Sequence, residues 1–247
     1  VIDRLLVIAT LPLLAACAAP PAPPATPPPV VSVIAHSTFD PRQWLRGQGI
    51  AVGDRVITAA HVITRSSADR VPRSLRVNGV DVGIRSPMHG DLRAVDALYK
   101  SGTMSSPEAL AEDWFCFKVA IPHALTDLGL WFDGPAPTPG ESLFAVRLDA
   151  EHDADAYSFR ELKVAEHDPE RTPLPERLLL VRSPGNEELP GWSGCFVGRY
   201  VPSRTPAWEF VGILVGEVEL PGGDARIVVV RPPAEAVTWL RGSGPDR

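Results

Sequence analysis

The segment Pro190-Gly191-Trp192-Ser193-Gly194-Cys195-Phe196 sets a serine among glycines at the entrance to an apolar run. A hydroxyl in that setting suits acyl transfer, in which an alcohol attacks a carbonyl and an oxyanion forms. Gly191 has no Cβ to restrict its backbone, so its N–H can turn into a pocket. That N–H and the one on Ser193 could converge on the oxygen of a tetrahedral intermediate, each donor contributing roughly 3–4 kcal/mol. Gly194 is expected to clear the path by which a base reaches the hydroxyl. Gly-x-Ser-Gly by itself is common in loops, so the chemistry also requires a base and an acid to orient it.

The chain has 6 histidines, and all precede Ser193. Hydrolases built on an α/β sheet place the histidine after the serine, and that order is excluded. His61 has the most telling context. Gly49-Ile50-Ala51-Val52, a Gly53-Asp54 turn and Arg55-Val56-Ile57-Thr58 predict a hairpin, and Ala59-Ala60-His61-Val62 follows at once. The imidazole therefore stands just past a strand end, among alanines small enough to let other backbone approach.

The orienting acid is sought before a buried strand. In Asp113-Trp114-Phe115-Cys116-Phe117-Lys118-Val119, Phe115, Phe117 and Val119 share one face while Trp114 and Cys116 share the other. A strand apolar on both faces is buried, so a carboxylate at its mouth is shielded from water. Asp96, in Val95-Asp96-Ala97-Leu98-Tyr99-Lys100, is a rival, and Asp91 a more distant one.

Gly47 to Val62 (GQGIAVGDRVITAAHV) resembles the histidine region of trypsin-like serine proteases, a Gly-x-Gly strand, a hairpin and Thr-Ala-Ala-His. In that family an Asp, four mostly apolar residues, Lys and an apolar residue follow, as Asp113 to Val119 do. His61, Asp113 and Ser193 run in the chymotrypsin order. The resemblance implies an all-β fold of two six-stranded antiparallel barrels with a short C-terminal helix. It implies a Ser193-His61-Asp113 triad, an oxyanion hole from the Gly191 and Ser193 N–H groups, a peptide or protein substrate and no cofactor.

Three positions depart from the family pattern. Trp192 replaces the aspartate that, in the digestive branch, binds a freshly cleaved N-terminus, so this chain is expected to be competent without such cleavage. The indole either walls the cleft mouth against substrate or is a buried anchor. Cys195-Phe196 stands where Gly-Pro or Ser-Pro is usual. Glu187 lies where the trypsin branch has the acid of its specificity pocket, although Gly185-Asn186-Glu187-Glu188 reads equally as a solvated turn.

These residues need many short strands to carry them. Further strands are predicted at Leu75–Val77, Val80–Ile84 and Leu92–Tyr99 in the first half. In the second they fall at Ser142–Val146, Tyr157–Val164, Arg177–Arg182, Cys195–Val201, Glu209–Val215 and Arg226–Val230. A helix over Ala234 to Leu240 follows Pro232-Pro233. Residues 31–133 would form the N-terminal barrel and 134–247 the C-terminal barrel with its helix, with Pro122 to Gly140 as the crossover. With 27 prolines and 20 glycines in 247 residues, turns are favoured over long helices.

Residues 1–17 read as a lipoprotein-type signal peptide, with an apolar segment from Leu5 to Ala16 and the lipobox-like Leu14-Ala15-Ala16-Cys17. Cys17 would be lipidated and would anchor the chain to a membrane. Residues 18–30 are a Pro-rich tether; Ala18 to Pro29 holds seven prolines and would span on the order of 35 Å. The expected location is the bacterial cell envelope, on the periplasmic or extracellular face.

A net charge of −6 argues against nucleic acid as a partner. Cys116 and Cys195 are read as buried thiols rather than a staple. Glu151-His152-Asp153 and Glu166-His167-Asp168 carry ligand-type residues, but acidic hairpin ends are ordinary and no metal is expected. Two function classes follow: a membrane-tethered serine endopeptidase, or a protease-like domain that binds peptides or partner proteins without cutting them. An esterase would share the endopeptidase's chemistry.

Overall fold

A computed structural model describes residues 26–36, 44–64, 72, 74–95, 106–119, 129–149, 156–167, 173–184, 189, 191–220 and 224–242. Twelve strands close into two antiparallel barrels. The first holds β1 (Val30–His36), β2 (Trp44–Val52), β3 (Arg55–Thr58), β4 (Ser74–Val77), β5 (Val80–His89) and β6 (Phe115–Val119), in the spatial order β1-β2-β3-β6-β5-β4. The second holds β7 (Ser142–Leu148), β8 (Tyr157–Val164), β9 (Leu178–Arg182), β10 (Phe196–Tyr200), β11 (Trp208–Leu220) and β12 (Asp224–Val230), in the order β10-β11-β12-β9-β8-β7. Short helices accompany the strands, among them α1 (Ala60–Ile63), α2 (Pro107–Ala111) and α3 (Ala234–Leu240).

Local chemistry explains most of these elements. Gly53 takes φ +59° in the β2–β3 turn, and Asn78-Gly79, at φ +49° and +78°, closes the two-residue β4–β5 hairpin. These left-handed conformations suit the right-handed twist of the strands they join. In β8, Leu162 and Val164 are buried while Lys163 between them is exposed, the alternation of a sheet with one dry face. The chain closes the first barrel where Val33 pairs with Val77.

Each barrel packs its own apolar faces, and a shared core joins them. Phe196, fully buried, lies 5.4 Å from Trp208 and 5.9 Å from Phe210, ring to ring, next to Ile213 and Val228. The helix α3 returns from the second barrel to the first. The Arg55 guanidinium stacks 5.0 Å over the Trp239 ring and donates to the Trp239 carbonyl. Glu112, just after α2, pairs with Arg177 at the head of β9.

Three expectations about boundaries change. The tether does not run to residue 30: Pro28 and Pro29 are buried, Val30 opens β1, and the Pro29 carbonyl accepts from Ala51 N–H at 2.9 Å. The Pro29 carbonyl extends the β1–β2 ladder while that of Pro28 accepts from Val30 N–H at 2.7 Å, which makes both part of the barrel. Residues 129–133, expected with the N-terminal barrel, lie along the second. Trp131 exchanges backbone hydrogen bonds with Trp208 and Phe210, satisfying groups on β11. The strand expected at Leu92–Tyr99 begins instead as a helical turn over 92–95, because Asp91 caps it by accepting from Arg93 and Val95 N–H; residues 96–99 lie outside the described residues.

Candidate active site

The pairing of β3 with β6 brings the base and the acid together. Thr58 pairs with Phe115 and Ile57 with Cys116, so the C-terminal end of β3 and the N-terminal end of β6 lie at one edge of the sheet. His61 stands three residues beyond Thr58, in the single turn α1, and Asp113 stands two residues before Phe115. Asp113 is delivered by α2, whose N-cap Ser106 accepts from Ala109 N–H and whose first residue is Pro107. Asp113 N–H then closes onto the Leu110 carbonyl at 3.0 Å.

The carboxylate of Asp113 is fully buried and engages His61 twice. Oδ1 accepts from the His61 backbone N–H at 2.9 Å, and Oδ2 meets ring Nδ1 at 2.7 Å. Two contacts fix both the position and the plane of the ring. A carboxylate accepts only, so the hydrogen of the neutral imidazole resides on Nδ1, leaving the Nε2 lone pair to take a proton. The His61 side chain is 13% exposed, whereas that of Asp113 is fully buried.

Of the rival acids, Asp91 caps the 92–95 turn, and Asp96 lies outside the described residues.

Ser193 lies on a tight turn before β10. Trp192 N–H donates to the Leu189 carbonyl at 3.2 Å, Cys195 N–H to Trp192 at 3.0 Å, and Gly194 N–H to Leu214 at 2.7 Å. Gly191 and Gly194 take φ +76° and +79°, left-handed conformations in which a side chain is strained. Among the described residues, no carbonyl accepts from the N–H of Gly191 or of Ser193.

The turn is held from the other barrel. The Ser193 carbonyl accepts from Gln48 N–H in β2 at 2.8 Å, and Gln48 Oε1 accepts from Leu148 N–H in β7 at 3.2 Å. A Cβ on Gly47 would collide with Val62, the residue after His61, and would meet the Ser193 carbonyl as well. One missing side chain in β2 therefore lets the His61 helix and the Ser193 turn approach the same point.

Gly194 has a different purpose from the one expected. A Cβ there would collide with the Gln48 carbonyl and crowd Thr58 Oγ1, itself bound to that carbonyl at 2.6 Å. It makes room for β2 and the end of β3, not for a base.

Trp192 is 5% exposed and packs with Leu143, Ala145, Cys195 and Val197 in the core of the second barrel. It is the buried anchor and not a wall of the cleft. Cys195 and Phe196 are fully buried too, so the bulk after the serine faces the barrel interior and Ser193 keeps partial exposure. Cys116 and Cys195 are free thiols, each pushed well above the usual range by burial. Glu187 lies outside the described residues, as do Cys17, Glu151-His152-Asp153 and Asp168. Among the described residues no cluster of His, Cys, Asp and Glu could hold a metal. A cleft of about 650 Å³ between α3 and residues 132–133, lined by Arg177, Arg231 and Arg241 among others, contains none of the site residues.

The supporting roles of Gly47, Gln48 and Thr58 were not anticipated, although all three lie within the Gly-x-Gly and Thr-Ala-Ala-His segments of the stretch from Gly47 to Val62.

No family model and no curated protein matches the chain. Solved structures do. The Rv3671c protease of M. tuberculosis in its active form is 14% identical at a TM-score of 0.50, covering 87% of this chain and 80% of that one. An inactivated protease paralogue of the scabies mite is 15% identical at 0.52, covering 86% and 92%. The fold is chymotrypsin-like. A third example is neuropsin, a serine protease of mouse brain, 15% identical at 0.51, with 87% and 94% covered. The chymotrypsin-like fold accommodates an active enzyme and an inactivated relative alike, so reactivity must be argued from this chain's own residues.

Proposed function

We propose that this chain is a serine endopeptidase of the cell envelope, tethered to a membrane through Cys17. Ser193 Oγ attacks the carbonyl of a peptide bond while His61 Nε2 takes its proton. His61 then returns that proton to the leaving amine. Asp113 holds the ring tautomer and stabilises the imidazolium without being protonated itself. The Gly191 and Ser193 N–H groups receive the oxyanion, and no metal or cofactor has a part in the reaction.

One observation carries this reading: a fully buried carboxylate bound at both oxygens to a single histidine, at its backbone N–H and at its ring Nδ1. Desolvating a carboxylate is costly, and a role in fixing a base explains why it is kept. The burial of Trp192, Cys195 and Phe196 supports the enzyme over the non-cutting binder, because the departures around Ser193 do not fill the cleft.

A fluorophosphonate probe tests it. Covalent labelling of the wild-type chain, abolished in Ser193→Ala, is the expected result. Folded wild-type protein that takes no label, yet retains peptides, assigns the chain to the binding class. Cleavage of esters with no cleavage of peptide libraries makes it an esterase. For a tethered enzyme, treatment that removes the lipid from Cys17 should release activity from membranes intact.

A further inference from the structure

The Ser193 N–H lies in the peptide unit after Trp192, and the Gly191 N–H in the unit before Gly191, so Trp192 stands between the two groups assigned to the oxyanion. Whatever fixes Trp192 therefore restrains the stretch that carries both. Its indole is buried, and the guanidinium carbon of Arg147 lies 5.1 Å from the ring centroid. That is within the range of an attractive cation–π contact. Arg147 sits in β7, where it pairs in register with Ser158 of β8, so the cation is carried by a rigid element. Its Nη2 is steered by Asp149 Oδ1 at 3.6 Å, and its Nη1 lies 3.9 Å from the place a Gly191 side chain would begin. Its buried Nε has no hydrogen-bond partner among the described residues. A buried N–H left without an acceptor is costly, and here the guanidinium lies against the indole.

We infer that Arg147 is a positioning residue for the oxyanion hole, clamping the Gly191–Ser193 turn to β7 through the face of Trp192. The inference rests on the serine-endopeptidase reading for its consequence but not for its geometry. The turn is otherwise held by backbone bonds at Trp192, Gly194 and Cys195 and by the Ser193 carbonyl. Those bonds hold the two peptide planes that flank Trp192 and leave the plane that carries the Gly191 N–H to be restrained by the anchored indole and the Arg147 Nη1 beside Gly191. Gly191, with a φ of +76° and no side chain, would otherwise allow that plane to rotate. The Arg147 charge also reaches beyond Trp192, since it opposes the rise that burial imposes on the Cys195 thiol.

The test uses the full chain and three variants, Arg147→Met, Arg147→Lys and Trp192→Phe. The readouts are amide hydrogen exchange across residues 191–195, kcat and KM on a peptide substrate, affinity for a peptidyl aldehyde, and the unfolding midpoint. Loss of the clamp in Arg147→Met is expected to speed exchange at 191–195 about tenfold. It should lower kcat about 10- to 100-fold, less than deleting an oxyanion donor outright, with KM changed less than about twofold. Aldehyde affinity should fall with kcat, Arg147→Lys should recover most of the loss, and Trp192→Phe should move every readout the same way. Exchange and kcat unchanged in Arg147→Met overturn the inference. So does a loss that lysine does not rescue, or one matched by a proportionate global rise in exchange. If Arg147→Met does not fold, the lysine and phenylalanine variants decide, and no change at 191–195 in either overturns it. Should the wild type neither cleave nor label, the endopeptidase reading falls, while the exchange experiment still decides whether the clamp exists.

Discussion

The first barrel builds its part of the candidate site from within, and the second does not. His61 and Asp113 are joined by the register of two neighbouring strands, β3 and β6, and by a bidentate contact inside one core. Ser193 stands on a turn whose carbonyl is held by Gln48 of the other barrel and whose Gly194 must clear that same residue. His61 and Asp113 can be fixed by sheet pairing alone, whereas Ser193, the proposed nucleophile, is presented only when the barrels dock. Damage to the interface should therefore remove reactivity while leaving the histidine pair intact.

The histidine pair should bear the largest loss. Asp113→Asn presents an amide to Nδ1 and favours the wrong tautomer, so turnover should fall about 10⁴-fold, measured as kcat and as the rate of fluorophosphonate labelling. A mild loss at Asp113 beside a severe one at Asp96 transfers the role to Asp96. Next comes Gly194→Ala, which strains a left-handed backbone and drives a methyl into the Gln48 carbonyl. Displacing the hydroxyl by about 1 Å should slow labelling on the order of 10²-fold. The low-field proton resonance of the His61–Asp113 bond should persist in that variant. Its disappearance means that the two halves are not independent.

Gln48→Leu keeps the backbone bond to Ser193 but deprives Leu148 N–H of its acceptor, costing about 1–3 kcal/mol of stability. Urea denaturation reads the loss, and labelling should slow less than in Gly194→Ala.

The smallest effect lies far from the pair. Arg199 holds the Glu141 carboxyl below its usual range, and Glu141 is 25% exposed. A lowered folded-state pKa contributes stability above the unfolded carboxylate value, and that stability is lost as pH falls through the folded value. Glu141→Gln should therefore cost less than about 1 kcal/mol near neutral pH and nothing in strong acid, with labelling unchanged. A deficit that persists in acid would assign it to packing instead of charge.

Features set by neighbouring residues were readable from the chain. The β2–β3 hairpin was expected from Gly53-Asp54, β8 and α3 have their expected limits, and the division into two sets of six strands holds. Asp113 was expected to be shielded because Phe115, Cys116 and Phe117 are apolar on both faces of β6, and it is. Less was readable where a segment's partner is distant. A strand was expected from Leu92, yet the Asp91 cap opens a helical turn there; Trp192 was equally compatible with a wall and an anchor.

Alternation, turn residues and caps act over a few residues, so the sequence by itself determined most of the strands, the strand end past which His61 stands and the buried mouth that holds Asp113. Where the Ser193 turn rests, why Gly47 and Gly194 lack side chains and which way Trp192 faces depend on how two closed barrels meet. Those contacts join residues such as Gln48 and Leu148, 100 positions apart. No local pattern encodes such a distance, and only the packing of one barrel on the other decides it.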